Sequence, residues 1–135
     1  MRRALPFLCI AIVLSLASLA MARDIRLTAD PSVPAAVGKA ELNHDRNGNL
    51  KVKLEVEHLA KPQALTPPKQ AYVVWIQSRG KEPENQGQLK VNENLQGSFE
   101  TTTSYPAFDI FVTPEDNPAA TTPSGPQLLK GSMQP

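Results

Sequence analysis

The chain has 135 residues, with 14 Lys+Arg against 13 Asp+Glu, 41% hydrophobic residues and 5% aromatics. That length makes one domain the natural expectation, and the even charge balance offers no electrostatic footprint for nucleic acid or an anionic membrane. A lone cysteine excludes an internal disulfide.

Arg2 and Arg3 precede an uncharged run, Ala4 to Ala22, that closes on Ala20-Met21-Ala22. A basic start, an apolar stretch and small residues at its end form the pattern of a secretory signal peptide, so residues 1–22 are expected to be cleaved after Ala22. The alternative is an uncleaved anchor, because the run is long enough to cross about 30 Å of hydrocarbon. In both cases the arginines hold the N-terminus inside, and a periplasmic or extracellular location is expected for the rest. Membrane contact follows only if the signal is uncleaved. Cys9 falls in this segment, without the Leu-Ala-Gly-Cys type of context that lipid attachment requires. Residues 23–135 are therefore expected to form one cysteine-free, nearly neutral domain that relies on a packed core.

Residues 23–35 show no clear pattern and are expected to be irregular or to form an edge segment. The strongest local signal follows. Leu50, Val52, Leu54 and Val56 alternate with Lys51, Lys53, Glu55 and Glu57, the two-residue period of a half-buried strand, and Ala40 and Leu42 alternate with Lys39, Glu41 and Asn43 before it. Asp45-Arg46-Asn47-Gly48-Asn49 lies between them. A two-residue Asn-Gly turn sets Leu42 opposite Lys53, whereas a three-residue loop with Gly48 left-handed sets Leu42 opposite Val52 and Ala40 opposite Leu54. The second register keeps apolar faces together. It also places Glu41 across from Lys53 and Lys39 across from Glu55, pairs that each contribute roughly 0.2–1 kcal/mol at a sheet surface.

Pro62, Pro67 and Pro68 mark a crossing to Ala71-Tyr72-Val73-Val74-Trp75-Ile76, a continuous apolar run that predicts a central strand. Arg79 to Gly87 reads as a polar loop. A short strand is expected around Leu89 and Val91, a turn over 92–97, and a threonine-rich strand over 98–103. Phe108, Ile110 and Val112 then alternate with Asp109, Phe111 and Thr113, and a loop holding four prolines runs from Pro114 to Pro126 before a last segment, Gln127 to Met133. About seven short strands with no amphipathic helix between them predict an all-β fold, an immunoglobulin-like antiparallel β-sandwich.

The chemistry-bearing residues are few. His44 and His58 are the two histidines, both with the parity of the apolar face, and at about 3.3 Å per residue the stretch from 50 to 58 separates them by roughly 26 Å. They cannot share a metal, and a half-covered strand-end histidine is the simpler reading of each. Asp45, Asn47 and Asn49 mimic the start of a calcium loop, but the glycine falls at the fourth position and Val56 at the twelfth, where a sixth-position glycine and a bidentate glutamate are needed. No catalytic residue, no metal site and no cofactor is expected. Glu115, Asp116 and Asn117 form an oxygen-rich cluster in the proline-rich loop and are the candidate binding residues, with Asp109 a further donor if the ligand is a small molecule or cation. Turn chemistry before Pro118 is the simpler alternative. Trp75 sits inside an apolar run and reads as core in preference to a sugar platform.

From Tyr72 onward the order of features resembles the extracytoplasmic C-terminal domain of the anti-sigma-K factor family. The residues that carry it are Tyr72-Val73-Val74-Trp75, Gly87-Gln88-Leu89, Val112-Thr113-Pro114-Glu115, Pro123-Ser124-Gly125-Pro126, and Gln127-Leu128-Leu129-Lys130-Gly131, over about residues 71–133. The resemblance implies structural roles for Tyr72, Trp75, Gly87, Thr113, Glu115, Pro123, Gly125 and Pro126. It also implies a β-sandwich outside the cytoplasmic membrane that senses or binds a partner. Only Met1, Arg2 and Arg3 precede the hydrophobic segment, so no contact with a sigma factor is expected. The expected function is thus a non-enzymatic exported module for protein–protein interaction or envelope sensing, its partner an unidentified envelope protein and not nucleic acid. A small-ligand or cation-binding periplasmic protein is the alternative.

Overall fold

A strand that alternates apolar and charged side chains must put one face in a core and the other in water, and the 37–57 hairpin does so on both of its strands. The computed structural model of the protein describes residues 23–134. The expected signal peptide and Cys9 lie outside the described residues. Eight strands follow in chain order: β1 (Arg23–Ala29), β2 (Val37–His44), β3 (Leu50–Glu57), β4 (Ala71–Gln77), β5 (Glu84–Leu89), β6 (Gly97–Thr103), β7 (Phe108–Glu115) and β8 (Leu129–Met133). The one helical element among the described residues is a 3-10 turn, Pro62–Ala64.

All the strand pairs are antiparallel, and the strands form one sheet in the order β5-β4-β7-β8-β1-β2-β3-β6. The sheet folds over on itself at β1, whose first five residues pair with β2 while Thr28 and Ala29 pair with β8. A strand that changes partner part-way is how a sandwich turns its corner, and here it brings the two halves into a nearly closed barrel. The all-β antiparallel expectation holds, with eight strands in place of about seven. Chain order differs from an immunoglobulin domain, whose third strand crosses to the opposite sheet, because β3 stays beside β2.

The extra strand corrects the reading of 23–35. Arg23–Ala29 is neither irregular nor an edge: it sits between β8 and β2, with Ile25 and Leu27 turned inward between exposed Asp24, Arg26 and Thr28. That alternation is short and carries charges on its outer positions, which hides it. The polar loop expected over 79–87 is also shorter. Glu84 begins β5, a polar edge strand that pairs with β4 across an irregularity between Val74 and Trp75. Pro114 and Glu115 belong to β7, beyond the reach of β8, which pairs only with Phe108 to Val112. Proline is tolerated there because no neighbour on that side needs its missing N–H.

The hairpin register is the one the apolar faces demand. Leu42 pairs with Val52, Ala40 with Leu54, Glu41 with Lys53 and Lys39 with Glu55. Gly48 is left-handed at φ 81°, and the Asp45 N–H donates to the Asn49 carbonyl at 2.8 Å, closing a three-residue loop. The main core lies between the two halves, where Ala40, Leu42, Val52, Leu54 and Val56 meet Tyr72, Val74, Ile76, Ile110 and Val112.

The two free edges, β5 and β6, face each other and are bridged by side chains. The Thr101 hydroxyl donates to Gln86 Oε1 at 2.7 Å, and the Phe99 ring packs against Gly87, where a Cβ would lie 3.1 Å from it. Tyr105, just past β6, donates its hydroxyl to Glu84 Oε1 at 2.8 Å. Exposed strand edges invite pairing with other chains, and these contacts shield both.

Candidate functional site

The acid cluster expected to bind a ligand has separate employments. Glu115 has the outward parity of Phe111 and Thr113, yet it is buried, because residues 116–128 fold back over the outer face of β4 and β7. Its carboxylate accepts four kinds of donor: the Thr113 hydroxyl at 2.5 Å, the Ser124 hydroxyl at 2.5 Å, the Ser124 N–H at 3.1 Å and the Gly125 N–H at 3.2 Å. Asp116 instead points to Lys69, 3.5 Å away, with its own side chain largely in solvent. Asn117 closes a turn, its Oδ1 accepting the Ala119 N–H at 2.9 Å. The structure does not bring the three together, and Asp109 accepts from the Ser132 hydroxyl at 2.6 Å on the far part of β7. Among the described residues no group of three or more His, Cys, Asp or Glu is gathered for a metal ion.

What Glu115 does is hold a strap. Trp75 Nε1 donates to Thr113 Oγ1 at 2.8 Å, and Thr113 in turn donates to Glu115, so a relay runs from the indole through a buried hydroxyl to the carboxylate. The carboxylate then grips the backbone of Ser124 and Gly125 between two prolines. On the opposite side of β4 the Asn85 amide donates to the carbonyls of Pro118 and Ala120 at 2.9 and 2.8 Å. Tied at both margins, the segment buries Val73, Trp75 and Phe111, with Trp75 and Phe111 stacked at 6.5 Å between ring centroids and 19° between planes. Desolvation raises the Glu115 pKa, but the hydrogen bonds from Ser124, Thr113 and Gly125 outweigh it and hold the carboxyl below its ordinary value. Gly125 must be glycine for a steric reason: a Cβ there would stand 2.2 Å from the Pro114 carbonyl oxygen.

Most of the residues singled out by resemblance fall in or next to this strap. Trp75, Thr113, Glu115 and Gly125 are members of the relay, and Pro123 and Pro126 flank the gripped dipeptide. Tyr72 is on the inner face of β4, donates its hydroxyl to the Ala60 carbonyl and has its pKa pushed up to about 12 by burial. Gly87 lies at the β5–β6 seam with φ 135°. Ser124 and Asn85 complete the strap: Ser124 enters the sequence reading only as part of the Pro123–Pro126 motif with no role of its own, and Asn85 falls in the stretch read as a polar loop. The one local signal at Ser124 is a small polar residue beside a glycine, where backbone N–H groups can converge on an anion.

The histidines are at opposite ends of the barrel. His44 ends β2, and His58 follows β3 with φ 56°, which breaks the alternation and turns it outward. Both are exposed, where half-covered side chains were expected.

Among the described residues, the outer face of β1, β2, β3 and β6 remains open. The register arranges its charges in rows across the sheet: Asp24, Glu41, Lys53 and Glu100 in one, and Arg26, Lys39, Glu55 and Ser98 in the next. The first row is acidic on balance, the second basic. Between the rows Lys53 lies 3.6 Å from Glu55, and Lys51, on the rung beyond, lies 3.9 Å from Glu100, all four side chains roughly half exposed. Asp24 directly opposes Glu41, and Arg26 opposes Lys39, like-charge pairings that cost stability within the sheet.

No family model matches the chain, and a search of curated proteins returns no match. What the molecule can do is read from its own surface.

Proposed function

We propose that this protein is an exported, non-enzymatic β-module that recognises another protein of the cell envelope, or reports an envelope condition, through the open face of β1, β2, β3 and β6. The observation that carries the proposal is the charge order on that face. Two adjacent rows of opposite net sign, each keeping one opposed like-charge pair that costs stability within the sheet, are complementary to a partner with the inverse order. The signal-like segment 1–22 and the resemblance of residues 71–133 to an extracytoplasmic domain support the location. No cofactor is invoked.

The test is cross-linking in the protein's own cells with the tagged full-length chain and a variant carrying Glu41→Lys and Glu100→Lys. The expected result is bait beginning at Arg23 and a specific envelope protein whose recovery falls at least tenfold in the variant, which stays folded by circular dichroism with its thermal unfolding lowered only modestly by the lysines now flanking Lys53. Equal recovery by both chains, or by neither, removes this function; bait that begins at Met1 removes cleavage and leaves an anchored module.

A further inference from the structure

The two ends of the barrel are finished differently. At the end where β3 crosses to β4, Leu59, Ala36 and Leu128 are buried and close the core. At the other end, where β1 and β3 begin and β2 and β8 finish, the core opens into a cavity of about 370 Å³. Its floor is Leu42, Leu50 and Met133, all members of the main core, and one wall is Tyr105 with Pro106. Tyr105 is held in place by its hydrogen bond to Glu84, with Lys81 Nζ 5.0 Å from the ring centroid on another side.

The mouth is polar and of one sign. Arg23 has the parity of Ile25 and Leu27, and His44 the parity of Ala40 and Leu42, so both basic side chains occupy inward positions at the last rung of their strands. The core ends at that rung, so both side chains stand exposed at the rim of the cavity that they line. Arg23 Nη1 donates to the Gln134 carbonyl at 3.1 Å, which steadies the guanidinium at the rim without neutralising it. Among the described residues no acidic side chain lines the cavity. Concave apolar volume of this size with a few convergent polar groups is the ordinary form of a small-molecule site.

We infer that this end of the barrel binds a free medium-chain carboxylate, the alkyl chain lying on Leu42, Leu50 and Met133 and the carboxylate at Arg23. Charge complementarity selects the occupant: apolar walls take an unbranched chain, and a guanidinium with further donors takes an anionic head in preference to a neutral or cationic one. The site is separate from the open sheet face, so it goes beyond the function proposed above and either can fail without the other.

The experiment is a titration of the isotope-labelled protein, expressed from its full-length sequence, with octanoate, decanoate, decanol and decylamine, followed by amide chemical shifts. Saturable decanoate binding is expected, with shifts centred on Leu42, Leu50, Tyr105 and Met133. Affinity should rise about threefold to fourfold per added methylene until the cavity is full, and decanol and decylamine should bind at least fivefold more weakly. Arg23→Gln should weaken decanoate about fivefold to tenfold and leave decanol unchanged. Ser104→Trp, placed at the exposed rim, should block binding without disturbing the core. No saturable binding, equal binding of decanol, shifts centred elsewhere, or binding only to vesicles of anionic phospholipid would overturn the assignment.

Discussion

On the β4 and β7 side of the molecule the outward positions carry Val73, Trp75, Phe111, Thr113 and Glu115, and all five are buried under residues 116–128. On the β2 and β3 side the same strand parity carries Lys39, Glu41, Lys51, Lys53 and Glu55, and nothing covers them among the described residues. The difference is not one of strand geometry, since both faces belong to one antiparallel sheet. It comes from a connection. The β7–β8 link is long enough to return across its own sheet, and Glu115 on one side and Asn85 on the other fix where it lies. A covered face needs a polar anchor that survives burial, and a carboxylate met by four donors is such an anchor.

If the covered face is a second small core, its substitutions should behave as core substitutions. Trp75→Ala removes the largest buried side chain and its relay bond, with an expected loss of about 3–5 kcal/mol in urea unfolding followed by circular dichroism. A loss under 1 kcal/mol would mean that the strap contributes cover without packing. Glu115→Ala leaves the Ser124 and Gly125 N–H groups and the Thr113 hydroxyl without their acceptor, an expected cost of about 2–4 kcal/mol. Limited proteolysis separates this from a general loosening, because cleavage should appear first within 116–128.

The pH dependence gives the comparison a sign. The folded Glu115 pKa lies below its unfolded value, so its contribution is fully present above the ordinary glutamate pKa of about 4.3 and is lost as pH falls through the lower folded value. Glu115→Gln removes that part of the titration. The stability gap between the wild type and Glu115→Gln should therefore be widest near pH 6 and shrink towards pH 2, in parallel urea series. A gap that widens on acidification would mean that the burial penalty wins over the hydrogen bonds.

The hairpin explains how much of this was readable beforehand. Its register follows from faces alone: every one-residue slip puts Lys or Glu against Leu or Val, so Leu42–Val52 and Ala40–Leu54 are the pairs that remain. Trp75 was legible as buried for the same kind of local reason, an unbroken apolar run. Glu115 was legible as a residue of note but not in its role. Parity puts it outward, and its burial depends on Ser124 and Gly125, nine and ten residues further along, folding back over it. β1 was missed because five residues of alternation are too few to stand out from their charged neighbours, although they turn the corner of the whole sheet. The cavity end was not legible at all, since Arg23, Leu50, Tyr105 and Met133 meet only through long-range pairing.

The smallest effect is expected on the open face, and it is the sharpest check on the contrast. Lys53 stands between Glu41 and Glu100 in its row and 3.6 Å from Glu55, so a contact count alone would rank it as a substantial stabiliser. Water screens those interactions, and ordering a lysine side chain opposes them, which leaves exposed pairs worth about 0.2–1 kcal/mol. Lys53→Ala should cost no more than that, and 0.5 M salt should shrink the cost further. The same substitution removes the one basic group of an acidic row, so partner recovery should change far more than stability does. A loss above 2 kcal/mol would instead make the charge rows part of what holds the sheet together.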